Sequence, residues 1–178
     1  MEEALSGRSR LPSSSEVLVT AGDLIREDLV PLVTRLKTEG VERVVFYAHS
    51  GIRDPGALAP LAEAGLSGLH LVLPAADKAL LAALTGDRGS LATAAALLDG
   101  ASALDLDVTL EIPVVASNFE ALPDILRRVR RRTDRVRTVI LRFASEVERG
   151  GRRRRWNPTR ALDAVEETLE LAASLGIA

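Results

Sequence analysis

Five short apolar runs punctuate the chain: EVLVT (16–20), RVVFYA (43–48), GLHLVL (68–73), DVTLEIPVV (107–115) and RTVILRF (137–143). Their brevity and their content of β-branched residues and leucine predict buried strands. The segments between them alternate apolar and polar positions with a helical period. A helix is expected over 24–38, stopping at Gly40. A second is expected over 55–64, with Pro55 near its start and Gly65 just past its end. Residues 76–104 read as helical but are divided by TGDRGS (85–90), whose glycines interrupt a helix. Asn118 is a suitable N-cap for a helix running to Arg132, and a last helix follows Asn157-Pro158-Thr159 and ends near Gly176. Residues 1–15, MEEALSGRSRLPSSS, show no period and are expected to form a flexible leader to a single domain spanning 16–178.

Strands and helices thus alternate with connections too long for hairpins, which requires parallel strands joined by right-handed crossovers. The fold class is α/β. Two architectures fit: a partial (β/α) TIM-like barrel of about five βα units, or an open doubly wound sheet. In both, ligands bind beyond the carboxyl ends of the strands, where helix N-termini converge. The positions of interest are Thr20 to Asp23, His49 to Gly51, Pro74 to Asp77, Val115 to Asn118 and Ala144 to Glu146.

Composition narrows the chemistry. The 178 residues include no cysteine, so this chain supplies no disulfide, thiolate-held zinc, iron–sulfur ligand or cysteine nucleophile. Charges interrupt every apolar run well before the roughly 20 residues a membrane helix needs, and no signal-peptide pattern follows Met1, so a cytoplasmic protein is expected. The net charge of −2 conceals a basic region: residues 127–160 hold 14 arginines against Asp134, Glu146 and Glu148. A split of this kind points to a face for an acidic partner, although solvated helix surfaces produce it too.

The stretch AEAGLSGLHLVLPAADKALLAALTGDRGSLATAAALL (62–98) resembles the fourth strand and following helices of radical S-adenosylmethionine (radical SAM) enzymes. DVTLEIPVVASNFEALPDIL (107–126) is similar to their fifth strand and helix, and VILRFA (139–144) to the sixth strand. VVFYAHSG (44–51) takes the place of the strand ending in Thr-Asn-Gly, and VTAGDLIREDL (19–29) that of the Gly-Gly-Glu strand. The resemblance covers residues 16 to about 145 and implies a barrel-like fold that binds S-adenosylmethionine beside a [4Fe–4S] cluster. The departures from it are systematic. The three-cysteine loop has no counterpart, and Gly-Gly-Glu reads Ala21-Gly22-Asp23. The hydroxyl that the family often offers the ribose falls at Val72, and the next polar position is Pro74. The changes at Val72 and Pro74 remove hydrogen-bond partners that a desolvated polar ligand needs. Asp23 therefore reads as a remnant, and no cofactor is expected.

Among the remaining candidates, His70 and Val72 fall on one side of their strand, and Thr109, Glu111 and Pro113 share a side of the next. His70 and Glu111 are then placed to meet and move a proton; the plainer reading is a satisfied buried pair. His49, at a strand mouth with Ser50, could act with Asp23 on a metal or a substrate, but without recognisable ligand spacing a capped turn explains them as well, and no metal site is expected. Ser50 lacks a nucleophile-elbow sequence, and the glycines of SGIRDPG and TGDRGS match no phosphate-binding fingerprint.

The arginine-rich segments RRVRRRTDRVR (127–137) and RGGRRRRW (149–156) are the conspicuous surface features. The first ends a helix, where cations suit the macrodipole. The second reads as a loop in which Arg152, Arg153, Arg154, Arg155 and Trp156 grip a partner. Nucleic acid is the less favoured partner, because the sequence pI is about 5.8 and only five residues are aromatic. A barrel beginning at its second strand leaves one sheet edge to be covered by its own leader, a second copy or another protein. The expectation is a non-catalytic, radical-SAM-like adaptor or regulatory subunit that binds an acidic protein surface or self-associates. The alternatives are a subunit of a split radical SAM enzyme with its cluster on another chain, and a non-radical enzyme or small-ligand binder built on the strand-mouth His and Asp residues.

Overall fold

The computed structural model describes residues 15–20, 28–49, 54–143 and 157–178, His49 by its backbone alone. Five strands, β1 (Glu16–Thr20), β2 (Arg43–His49), β3 (Gly68–Val72), β4 (Asp107–Val114) and β5 (Val136–Phe143), form one parallel sheet ordered β1-β2-β3-β4-β5. Six helices accompany them: α1 (Leu29–Thr38), α2 (Leu58–Glu63), α3 (Lys78–Thr85), α4 (Ser90–Ala103), α5 (Leu122–Arg130) and α6 (Pro158–Ser174). Strand order follows chain order without the reversal that defines a doubly wound sheet. With right-handed crossovers, such an order stacks successive helices on one face, as in a barrel that has not closed.

Side-chain alternation divides the sheet accordingly. Val44, Phe46 and Ala48 of β2, Leu69 and Leu71 of β3, and Val108, Leu110, Ile112 and Val114 of β4 face the helices and are buried. Against them pack Leu58 and Leu61 of α2, Leu97 and Leu98 of α4, and Leu122, Ile125 and Leu126 of α5. The opposite face carries Leu18, Val45, Tyr47, His70, Val72, Thr109, Glu111, Thr138, Ile140 and Arg142, a mixed set in which Val45 and Glu111 are buried while Leu18 and Ile140 are exposed. An apolar face toward the helices and a mixed second face, the open face, exposed at Leu18 of β1 and Ile140 of β5, are therefore written on the same strands.

Local signals locate the helix ends. Asp77 caps α3, its Oδ1 accepting from the backbone N–H groups of Ala79 and Leu80 at 2.9 Å. Gly86 ends α3 at a φ of +79°, its N–H donating to the Ala82 carbonyl, so the TGDRGS segment breaks the helix as its glycines require. The helices expected at 55–64 and 118–132 each open with a single 3-10 turn, Pro55–Ala57 and Phe119–Ala121, before α2 and α5 begin. Asn118 does not cap its helix. Buried at the end of β4, it accepts from the Val115 N–H through Oδ1 and donates through Nδ2 to the carbonyls of Pro74 and Pro113. It ties the loop after β3 to the loop after β4. The described part of the first helix begins at Leu29.

The sheet's two edges differ. Beside β5, the Ala178 N–H donates to the Arg137 carbonyl and the Ala178 carbonyl accepts from the Val139 N–H, the pairing of a parallel bridge opposite Thr138. Beyond β1, no strand is paired among the described residues. At the amino ends of the strands, Asp107 draws together Arg43, Arg135 and Arg137, and Glu16 holds Arg43 from the other side. The hydrogen bond to Glu16, with help from Asp107, raises Arg43 above the ordinary arginine value. Among the described residues no helix is long and apolar enough to cross a membrane.

Candidate functional site

His70 and Glu111 meet on the open face of the sheet. His70 lies opposite Thr109 and Val72 opposite Glu111, so the histidine and the carboxylate project from adjacent strands, diagonally across the ladder. His70 Nε2 and Glu111 Oε2 are 2.8 Å apart, and both side chains are largely withdrawn from water, 13% and 8% exposed. Tyr47, directly opposite His70 on β2, lays its ring against the imidazole with centroids 4.9 Å apart and planes tilted by 45°. The contact limits how the imidazole can turn, and Glu111 sets which nitrogen it shares. A neutral His70 donates from Nε2 and keeps the lone pair of Nδ1 for another group.

Arg142 completes the cluster. Its guanidinium reaches Glu111 Oε1 as an ion pair without hydrogen-bond alignment, and that oxygen is fully buried. The carboxylate is thus clamped between two cations when His70 is protonated and held by one when it is not. A buried carboxylate without such partners costs several kcal/mol, on the order of the ~3–5 measured when one side of a buried pair is removed. Arg142 itself remains 58% exposed, so its outer donors face solvent while its inner edge serves Glu111.

The position of Arg142 depends on a single irregularity. The register between β4 and β5 pairs Val108 with Val136 and then Thr109 with Thr138, so Arg137 is an extra residue in β5. Without it, Arg142 would lie opposite Val114 and project toward the helices. The bulge reverses the parity of β5 and turns Thr138, Ile140 and Arg142 onto the face of Glu111. Arg142 and Tyr47 are therefore members of the cluster that strand pattern alone does not single out. Arg142 does leave one trace, as a charge inside an otherwise apolar run, RTVILRF.

The other candidates fall apart from this cluster or outside the described residues. The His49 backbone sits opposite Val72, which is itself opposite Glu111, so His49 and Glu111 occupy one row two strands apart, about 10 Å at normal strand spacing. Asp23, Ser50, Arg152, Arg153, Arg154, Arg155 and Trp156 lie outside the described residues, as does nearly all of the expected leader. Among the described residues, no group of three or more His, Cys, Asp or Glu is placed to hold a metal ion. The groups implied by the family resemblance do not fit the residues present. This chain offers no cysteine for a cluster, and Val72, half-buried on the open face, and Pro74 offer a nucleoside no side-chain hydrogen bond.

A separate cleft of about 360 Å³ opens on the helical side between α4 and α5. Leu73, Leu91, Ala94, Leu98 and Val129 line it, with Arg128, Arg131 and Arg132 along one rim. Arg132 grips both carboxylate oxygens of Asp99, at 2.7 and 2.8 Å, and bridges the two helices at one end. That hydrogen bonding raises Arg132 above the ordinary arginine value.

Comparison with known proteins places the fold and leaves the function open. No protein-family model matches the chain, and no curated protein matches it. Among solved structures, the crystal structure of Streptococcus suis SuiB superposes with a TM-score of 0.66 at 13% sequence identity. The match covers 89% of this chain and 36% of SuiB, so the chain spans about a third of the length of that protein. At this identity the likeness is one of fold alone.

Proposed function

We propose that this chain is a radical-SAM-like protein that works as a non-catalytic interaction subunit, with the open face of its sheet as the contact surface. SuiB, a radical SAM-type protein by name, supports the fold side of this reading. The observation that carries the rest is the make-up of the open face. A fixed charged cluster, His70–Glu111–Arg142, stands between two exposed apolar side chains at the flanks of the sheet, Leu18 at 43% and Ile140 at 38% exposure. A closed barrel fills this side with its own residues; in this reading a partner covers the exposed flanks at Leu18 and Ile140. Its chemistry follows from the surface: apolar side chains against Leu18 and Ile140, and a carboxylate against the outer donors of Arg142. From sequence alone, Arg152 to Arg155 and Trp156 join the same proposal as a second basic contact for an acidic partner.

The test is affinity capture from the native cell at low and high salt, with the wild-type chain and Ile140→Asp compared. Ile140 is exposed, so the variant is expected to melt as the wild type does while losing the partner. Retention of the same partner by a folded Ile140→Asp chain moves the contact away from this face. The 2.8 Å His70–Glu111 geometry favours one second reading, an enzyme or small-ligand binder in which the imidazole moves a proton. Titration with S-adenosylmethionine separates the remaining alternative, since binding by this chain supports the split radical SAM enzyme.

A further inference from the structure

We infer that the chain forms a two-fold dimer through its helical layer, with α6 of one copy seated in the α4/α5 cleft of the other. The inference does not rest on the open-face reading. It begins from the seven arginines of 127–137, most of which the fold absorbs. Arg127 bonds Asp124 and Glu167, Arg130 reaches the Thr133 carbonyl, and Arg132 holds Asp99. Arg135 pairs with Asp105 and Asp107, and Arg137 with Asp107. Arg128 and Arg131 are left without a partner among the described residues, and both stand on the rim of the cleft.

The complement of this rim lies on α6. Leu162 and Leu169 are 54% and 50% exposed, a large share for leucines on a helix that already buries Ala161, Thr168 and Ala172. They are seven residues apart and share a face, separated along the axis by about 10 Å. The same spacing separates Leu91 and Leu98 on the wall of the cleft. Asp163, Glu166 and Glu170 flank the two leucines, all exposed and without partners among the described residues. An apolar cleft edged with unpaired arginines and an apolar stripe edged with unpaired carboxylates thus occur on one molecule.

Their placement allows closure. α5 packs against α6 on one side, while the cleft separates it from α4 on the other. A two-fold axis that brings one α6 over the other copy's cleft makes two identical contacts and leaves none open. The occupant is a second copy, because the chain itself carries the matching charge, leucine spacing and neighbouring position.

The test is molar mass by sedimentation equilibrium across a concentration series, for the wild type and two charge-reversed chains. The wild type is expected to approach twice 19.0 kDa. Arg128→Glu/Arg131→Glu and Glu166→Arg/Glu170→Arg are each expected to weaken association on the order of tenfold to a hundredfold. Mixing the two variants restores a dimer, because one contact regains opposite charges and the other is wild-type throughout. The substituted side chains are exposed, and unchanged melting of each variant confirms folding. A wild-type monomer at every concentration overturns the proposal, as would an acidic partner capturing the cleft in its place. So would a dimer indifferent to both variants, a mass rising past two copies, or a mixture that stays monomeric.

Discussion

Strand β4 carries two carboxylates on the same face, four residues apart, and they illustrate two uses of charge. Asp107 sits at the amino end of the strand with Arg43, Arg135 and Arg137 around it, 29% exposed. Glu111 sits in mid-sheet with His70 and Arg142, 8% exposed. Asp107 has the more numerous partners and depends on them less, because water solvates whatever the arginines leave. Glu111 has fewer partners and water does not reach its buried oxygen. The number of ion pairs is therefore a poor guide to which carboxylate matters; the degree of desolvation decides.

Removing partners breaks this comparison most sharply. His70→Ala combined with Arg142→Ala leaves Glu111 buried without a counter-charge, and denaturant melts at pH 7 are expected to show a loss of about 3–5 kcal/mol. Adding Glu111→Leu to that pair is expected to recover most of the loss, since an apolar side chain at the site has no charge to desolvate. Failure to recover would mean that the two removed side chains act through packing rather than charge.

A smaller effect is expected when the charge alone is removed. Glu111→Gln keeps the shape and one acceptor, so a cost of about 1–2 kcal/mol is expected, within the range for a disturbed charged hydrogen bond. Asp107→Asn is expected to change stability by less than about 1 kcal/mol, with a difference that shrinks as salt is added. If the Asp107 substitution proves the costlier of the two, the ranking by desolvation is wrong.

The same strand shows what a sequence can and cannot disclose. The five strands and the break at TGDRGS were legible because a buried parallel strand and a glycine-ended helix each follow from local composition. The meeting of His70 and Glu111 was legible too, because adjacent parallel strands in simple register bring alternate residues to one face. Arg142 was not, because its side is set by the bulge at Arg137, and one extra residue reverses every side chain beyond it. Asn118 departs from the expected cap for a related reason. Its position before a helix suits a cap, but its amide finds three backbone partners, in β4 and in the loops after β3 and β4, and only the assembled fold supplies them. The cleft between α4 and α5 depends on how far apart two helices stand, which no local pattern records.

If a partner binds the open face, it covers Leu18, Tyr47, Ile140 and the clamped Glu111. Oxidative footprinting of side chains tests it most directly, comparing the dilute chain alone with the chain in its native assembly. Leu18, Tyr47 and Ile140 are expected to become protected in the assembly. Oxidation of those three residues to the same extent in both states, with protection only elsewhere, would contradict it.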